Sequence, residues 1–235
     1  MPDIILPREE KIIAVIPVRM GSQRLTKKNL RELNGIPLIQ RVITKCLDAK
    51  IFDEIWVNSE DVAFKRFAEE NAVAFHQRSE ELGNNQATSE EYLTEFLEKH
   101  DCSHLVQVHS IAPLLRVKEL VSFVEHFKES KHDVLLSCTE EQIECAFDNS
   151  PVNFKFSSKT NSQELKPIQK VTWSITGWRR ESFLQAINEG KCATYFGTVG
   201  YFPLNRLSGH IIKTKEDLLI AEALLPLIES SEVAQ

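Results

Sequence analysis

Glycine is scarce in this chain, with eight in 235 residues, and neither of the glycine-built phosphate signatures occurs. The lack of G-x-x-x-x-G-K-[ST] and of G-x-G-x-x-G excludes a Walker-type loop and a dinucleotide fingerprint. Cysteines are few and unordered. Cys46, Cys102, Cys138, Cys145 and Cys192 are odd in number and never spaced C-x-x-C, which argues against a disulfide framework or a zinc site and for reduced thiols in a cytoplasmic protein. No apolar run approaches the roughly 20 residues that a membrane-spanning helix needs, so no membrane partner is expected. The N-terminal run MPDIILPREEK has no charged segment followed by an apolar one, and no leader is expected from it. Basic excess is missing too: a net charge of -6 argues against general nucleic-acid binding, which calls for a basic surface. No Ser/His/Asp or Cys/His pattern marks a covalent nucleophile. With 42% hydrophobic residues the chain can bury a core as one domain, residues 1–235.

The basic residues that are present are unevenly placed. Lys11 to Arg31 holds six of the 28 and no acid, leaving 22 bases against 34 acids elsewhere, a balance of -12. The block opens on Ile12-Ile13-Ala14-Val15-Ile16, an apolar run rich in β-branched residues that predicts a strand covered on both faces in a parallel sheet and stopped by Pro17. Arg19, Arg24, Lys27, Lys28 and Arg31 follow, with Gly21 where the chain can turn tightly. In open parallel sheets ligands sit at the carboxyl ends of strands, and loop N–H groups backed by Arg and Lys favour a polyphosphate. A solvated basic loop is the plainer alternative.

Strand and helix patterns then alternate. Helices are expected after Pro37 (inner face Leu38, Ile39, Val42, Ile43, Leu47), over Asp61 to Asn71, from Thr88 to about His100, and over Val117 to Phe127. Strands are expected over Asp53 to Asn58, Ala72 to Phe75, Leu105 to His109 and Asp133 to Ser137. Thr88 with Glu91, and Thr214 with Asp217, read as capping boxes. The alternation predicts a doubly wound or similar parallel sheet. From about 139 to 170 a polar segment breaks the rhythm and reads as an insertion containing one strand, Val152 to Phe156. A strand over Val171 to Trp178, a helix over Arg180 to Glu189, a strand over Cys192 to Val199 and a last helix over Lys215 to Leu227 complete the expectation. Tyr195, Phe196, Tyr201 and Phe202 are either core or the wall of a substrate pocket.

The run IPVRMGSQRLTKKN resembles the N-terminal motif of the CMP-sugar synthetases, the acylneuraminate cytidylyltransferases and their relatives. Arg19, Gly21, Ser22, Arg24, Lys28 and Asn29 fall on that motif. The resemblance implies a three-layer α/β fold with a mainly parallel, Rossmann-like sheet of the nucleotide-diphospho-sugar transferase type. It implies that the loop holds the triphosphate of CTP, with contacts from Arg19, Ser22, Lys28 and Asn29, and that Arg19 and Lys28 serve transfer of CMP to an acidic sugar, a nonulosonic or other 2-keto-3-deoxy acid. Arg supplies a planar fork of donors, Lys a point charge, and Ser and Asn neutral donors between them. A cytoplasmic homodimer is the expected assembly.

Further stretches match with departures. RSEELGNNQATSEEYL places Arg78 and Ser89 where the family contacts the base and ribose. VQVHSIAPLL has His109 where the family usually shows Gln, which bears on base selectivity, because neutral His offers one donor and one acceptor in a different geometry. Magnesium is the cofactor the resemblance implies, held by an Asp-x-Asp near the end of the chain. Here Ile211 and Lys213 stand at those places, neither able to replace a carboxylate, so the metal ligands are unknown. The alternatives are a nucleotide-binding relative with altered or lost catalysis and a nucleotidyltransferase using another base or sugar.

Overall fold

The computed structural model describes residues 10–233; of the N-terminal run MPDIILPREEK, residues 1–9 lie outside them. The elements in chain order are β1 (Ile12–Pro17), β2 (Glu32–Leu33), β3 (Ile36–Pro37), α1 (Leu38–Ala49), β4 (Glu54–Ser59), α2 (Lys65–Glu70), β5 (Ala74–Gln77) and α3 (Ser89–Lys99). They continue with β6 (His104–Val108), α4 (Val117–Glu129), β7 (Val134–Glu141), β8 (Ala146–Phe147), β9 (Ser150–Pro151), β10 (Ile168–Arg179), α5 (Arg180–Asn188), β11 (Val199–Pro203) and α6 (Lys215–Val233). Seven strands form the central sheet in the order β11-β7-β10-β6-β1-β4-β5. All neighbours run parallel except β10, which lies antiparallel to both β6 and β7.

β1 is buried on both sides, as its apolar run predicts. Ile12, Ala14 and Ile16 enter one core with Ile39, Val42 and Ile43 of α1, Phe67 of α2 and Leu120, Phe123 and Phe127 of α4. Ile13 and Val15 enter the other with Leu93, Phe96 and Leu97 of α3 and Phe183 and Ala186 of α5. Helices on both faces of the sheet give the three-layer architecture. A third cluster joins Leu25 of the basic loop, Leu33 and Leu38 to Leu114, Ile212 and the inner face of α6, Ala221, Leu225 and Ile228. It braces the loop after β1 from beneath. The two capping boxes form: Thr88 Oγ1 accepts from Glu91 N at 3.3 Å and Glu91 Oε2 from Thr88 N at 2.6 Å, while Asp217 Oδ2 accepts from Thr214 N at 2.8 Å and Thr214 Oγ1 from Asp217 N at 3.3 Å.

Several expectations need correction. Val152 to Phe156 is not a strand: the chain instead makes the two-residue pair β8/β9, turning through left-handed Asp148 and Asn149. Asn153 then ties the segment by accepting from Cys145 N at 2.9 Å and donating to the carbonyls of Ile143 at 2.8 Å and Lys166 at 2.9 Å. Cys192 to Val199 is not a strand either. Glu90 of α3 accepts from Thr194 N at 2.6 Å and Cys192 Sγ at 3.0 Å, Ala193–Tyr195 form a 3-10 turn, and Gly197 at φ 78° precedes the actual strand, β11. The third expected strand begins two residues late because Ala72, at φ 53°, still turns the chain. The helix expected over Asp61 to Asn71 opens as a 3-10 turn over Val62–Phe64 before α2. Leu47 is exposed at 38% and is not on the inner face of α1. Helix α6 continues past Leu227, carrying Pro226 inside it. No helix among the described residues is long and apolar enough to cross a membrane.

Candidate functional site

Because β1, β4, β5 and β6 run parallel, their carboxyl ends deliver Val18, Glu60, Arg78 and His109 to one edge of the sheet. The basic loop leaves β1 here. Val18 N donates to Asn58 O at 3.0 Å, and Ser22 N to Met20 O at 2.9 Å closes a tight turn around Gly21. Gly21 does not adopt a left-handed conformation, and a Cβ there would meet nothing within 4 Å. The left-handed residue is Lys27, at φ 53°, which starts the 3-10 turn Lys28–Leu30. Asn29 is buried inside the loop. Its Nδ2 donates to Arg19 O at 2.9 Å and its Oδ1 accepts from Ser110 Oγ at 2.8 Å, so its amide shapes the loop from within.

Arg78, at 4% exposure, is held from three sides. Its Nη2 donates to Val18 O and to Glu60 Oε2, both at 3.0 Å, its Nη1 to Asn58 Oδ1 at 3.3 Å, and its guanidinium lies 4.8 Å from the Tyr92 ring centroid. Glu60 Oε1 accepts from Met20 N at 2.9 Å, which links the end of β4 to the basic loop. Gly83 makes room for this carboxylate, since a Cβ there would lie 2.3 Å from Glu60 Cγ. From Tyr92 a chain of hydrogen bonds runs inward. Burial pushes the Tyr92 phenol up to about 12, keeping it a donor, and its hydroxyl donates to Gln107 Oε1 at 3.1 Å. Gln107 Nε2 lies 2.5 Å from His109 Nε2 and donates to it, which leaves the ring proton on Nδ1. Burial first, and the charge of Lys28 second, push the His109 imidazole down to about 4, so it is neutral.

These groups surround a cavity of about 280 Å³ whose walls include Arg78, Ser89, Tyr92 and His109, with Ser22, Lys28 and Asn29 on its loop side. A smaller hollow of about 130 Å³ shares Arg19, Ser22, Lys28 and Asn85 with it and adds Arg24 and Lys213. Arg19 Nη1 donates to Asn84 O at 2.8 Å, closing the Gly83–Asn85 loop over the cavity. Burial lowers the Lys28 ammonium below its ordinary value, and Arg24, Arg19 and Lys213 lower it further. A larger hollow of about 1150 Å³, lined in part by Lys11, Ser103, Asp133 and Arg179, lies at the opposite edge of the sheet.

The sequence-derived residues Arg19, Ser22, Lys28, Asn29, Arg78, Ser89 and His109 therefore line one cavity, and Arg24 lines the adjoining hollow. Gly21 forms the turn without lining either. Glu60, Tyr92, Gln107 and Ser110, which position these groups, escaped the sequence reading. Tyr92, Gln107 and Ser110 stand inside the recognised stretches, and Glu60 lies outside them.

A carboxylate-held metal does not fit the residues present. Ile211 packs against the core, Lys213 faces the hollow, and Asp217 Oδ2 accepts from the N–H groups of Lys213 and Thr214, each at 2.8 Å. Among the described residues no group of three or more His, Cys, Asp or Glu is placed to hold a metal ion.

Residues 13–203 match the family model described as cytidylyltransferase. The chain belongs to the cytidylyltransferase family. Within it, this cytidylyltransferase-family chain is 31% identical over 195 residues to the pseudaminic acid cytidylyltransferase of Campylobacter jejuni subsp. jejuni strain 81-176, covering 80% of this chain and 78% of that one. It is 24% identical over 198 residues to N-acylneuraminate cytidylyltransferase A of Danio rerio, covering 80% of this chain but 46% of the fish protein. An N-acylneuraminate cytidylyltransferase of Streptococcus agalactiae matches at 31% over 127 residues, 53% of this chain and 30% of that protein. The chain thus spans less than half the length of the latter two relatives. Two solved structures share the fold. A CMP:2-keto-3-deoxy-manno-octonic acid synthetase complexed with CTP superposes with a TM-score of 0.70 at 18% identity, covering 92% of this chain and 99% of that one. A 4-diphosphocytidyl-2C-methyl-D-erythritol synthase from Anaerococcus prevotii superposes at 0.68 with 14% identity, covering 92% and 96%.

Proposed function

We propose that the protein is a CTP-dependent cytidylyltransferase that activates an acidic sugar of the 2-keto-3-deoxy type. The observation that carries this reading is the pairing of a cavity of base size with a cationic hollow, joined through Arg19, Ser22 and Lys28 at the exit of β1. The base enters beside His109 and Tyr92, and the triphosphate lies along the basic loop. The sugar hydroxyl oxygen bonds to the α-phosphorus, the bond from that phosphorus to the bridging oxygen breaks, pyrophosphate leaves, and the hydroxyl proton is released. Arg19 and Lys28 neutralise charge that builds on the phosphate oxygens, and positioning supplies much of the remaining acceleration. Ile211 and Lys213 offer no carboxylate to a metal ion at this site.

The test is pyrophosphate release from CTP, UTP, ATP and GTP with a panel of 2-keto-3-deoxy acids. Lys28→Ala is expected to cut turnover by about 100-fold or more with the fold intact, the scale seen when one transition-state charge contact is removed. Equal turnover in that variant would take the loop out of the mechanism. A second reading, nucleotide binding without turnover, is favoured by Ile211 and Lys213 in place of acids. CTP binding with no pyrophosphate from any acid would select it.

A further inference from the structure

The hollow beside the basic loop is unusual for what it excludes. Four cations, Arg19, Arg24, Lys28 and Lys213, line it, and no carboxylate does. None of the four takes part in an ion pair among the described residues. Ser22, Gln23 and Asn85 add neutral polar atoms. Like charges converging without acids repel, so the folded chain keeps this arrangement only because its backbone is fixed by other contacts. Those contacts are visible. Leu25 and Ile212 share one apolar cluster with α6, Ile212 N donates to Ile111 O at 2.9 Å, and Lys213 N donates to Asp217 Oδ2 at 2.8 Å. Lys213 is therefore held at the hollow by its backbone while its exposed side chain faces anion-binding space.

We propose that Lys213 does here what a protein-held divalent cation would otherwise do, so that the hollow grips the triphosphate of a nucleotide in its metal-free form. The inference rests on the nucleotide reading above for the identity of the anion. Four side-chain cations match the charge of a fully ionised triphosphate, and Arg19 and Arg24 supply directional donors where a metal would supply only charge. A divalent cation entering with the nucleotide would meet four like charges and only neutral side-chain oxygens, with no carboxylate in the lining to offset them. Magnesium is thus expected to leave affinity unchanged or weaken it, the reverse of its effect on a site built from carboxylates.

The experiment is calorimetric titration of the full chain with CTP and, separately, with inorganic tripolyphosphate, each in EDTA and in excess magnesium. Wild type is expected to bind both anions at least as tightly in EDTA as in magnesium. Lys213→Ala is expected to weaken metal-free binding about tenfold, the loss of one charge-assisted contact. Lys213→Asp is expected to lose metal-free binding and to recover it when magnesium is added. Lys213 is exposed, so neither substitution should lower the melting temperature. Wild type that binds only with magnesium, or Lys213→Ala that matches wild type in EDTA, overturns the proposal. Tripolyphosphate bound without metal alongside no sugar activation would uphold this inference and defeat the enzymatic reading. Magnesium-dependent binding with robust CMP transfer would do the opposite.

Discussion

Asn29 offers the sharpest test of how the site is built. It is 5% exposed and Ser110 is 3% exposed, and Asn29 Oδ1 accepts from Ser110 Oγ at 2.8 Å, tying the basic loop to the turn after β6. On its other side Asn29 Nδ2 holds Arg19 O at 2.9 Å, and Arg19 lines both the cavity and the hollow. Asn29→Ala removes both bonds at roughly 1 kcal/mol each and strands a buried hydroxyl and a carbonyl, for a total of about 2–4 kcal/mol. At the roughly 2–4 °C per kcal/mol of a chain this size, the melting temperature falls by about 4–16 °C if loop and core unfold together. If the loop opens on its own, the loss appears instead as weaker CTP binding. Melting by circular dichroism and CTP titration read the two cases separately. Ser110→Ala removes one of the bonds, so the double variant is expected to show a coupling of about 1 kcal/mol with Asn29→Ala. A melting temperature within about 1 °C of wild type together with an unchanged CTP affinity would refute the assignment of Asn29 as the loop's pin.

Two further outcomes are expected. His109 spends its acceptor nitrogen on Gln107 and keeps only a donor, whereas glutamine presents an acceptor suited to the exocyclic amine of cytosine. His109→Gln should therefore raise the preference for CTP over UTP by about tenfold, and an unchanged ratio would remove position 109 from base recognition. Stability should also fall steeply in mild acid. His76, His104 and His109 are each pushed from 6.5 down to about 4, burial being the first cause in every case. Between those values the unfolded chain takes up protons that the folded one refuses, so their stabilisation is intact above pH 6.5 and is lost as pH drops to about 4. The slope is about 1.4 kcal/mol per pH unit for each histidine, and urea midpoints that stay flat over this window would contradict it.

Much of this arrangement is legible in the sequence, for reasons that differ by element. The run from Ile12 to Ile16 announces a strand buried twice because every one of its side chains is apolar, and its residues do divide between the two cores. The capping boxes are local, and local chemistry is what a sequence records best. Direction is not local. Nothing in Val171 to Trp178 reveals that the strand runs against its neighbours, or that its register shifts between Val171 and Thr176 around left-handed Trp173. A turn replaces the strand expected near Cys192 for the same reason, since the carboxylate that curls that segment belongs to Glu90 in α3. Arg78 was legible as a site residue but its anchoring was not. It depends on Glu60 from another strand end and on the bare backbone of Gly83, a geometry that exists only once the sheet has assembled.

The apolar brace that joins Leu25 to Ile212 and α6 carries a consequence for biogenesis. During synthesis β1 and its cationic turn leave the ribosome long before the helix that seats them. A nascent chain can complete the central strands while its anion grip stays unassembled, because the opposing lysine has yet to be translated. On the nucleotide reading proposed above, capture is then a late event of maturation, and whatever loosens the final helix is expected to weaken the first loop without touching it.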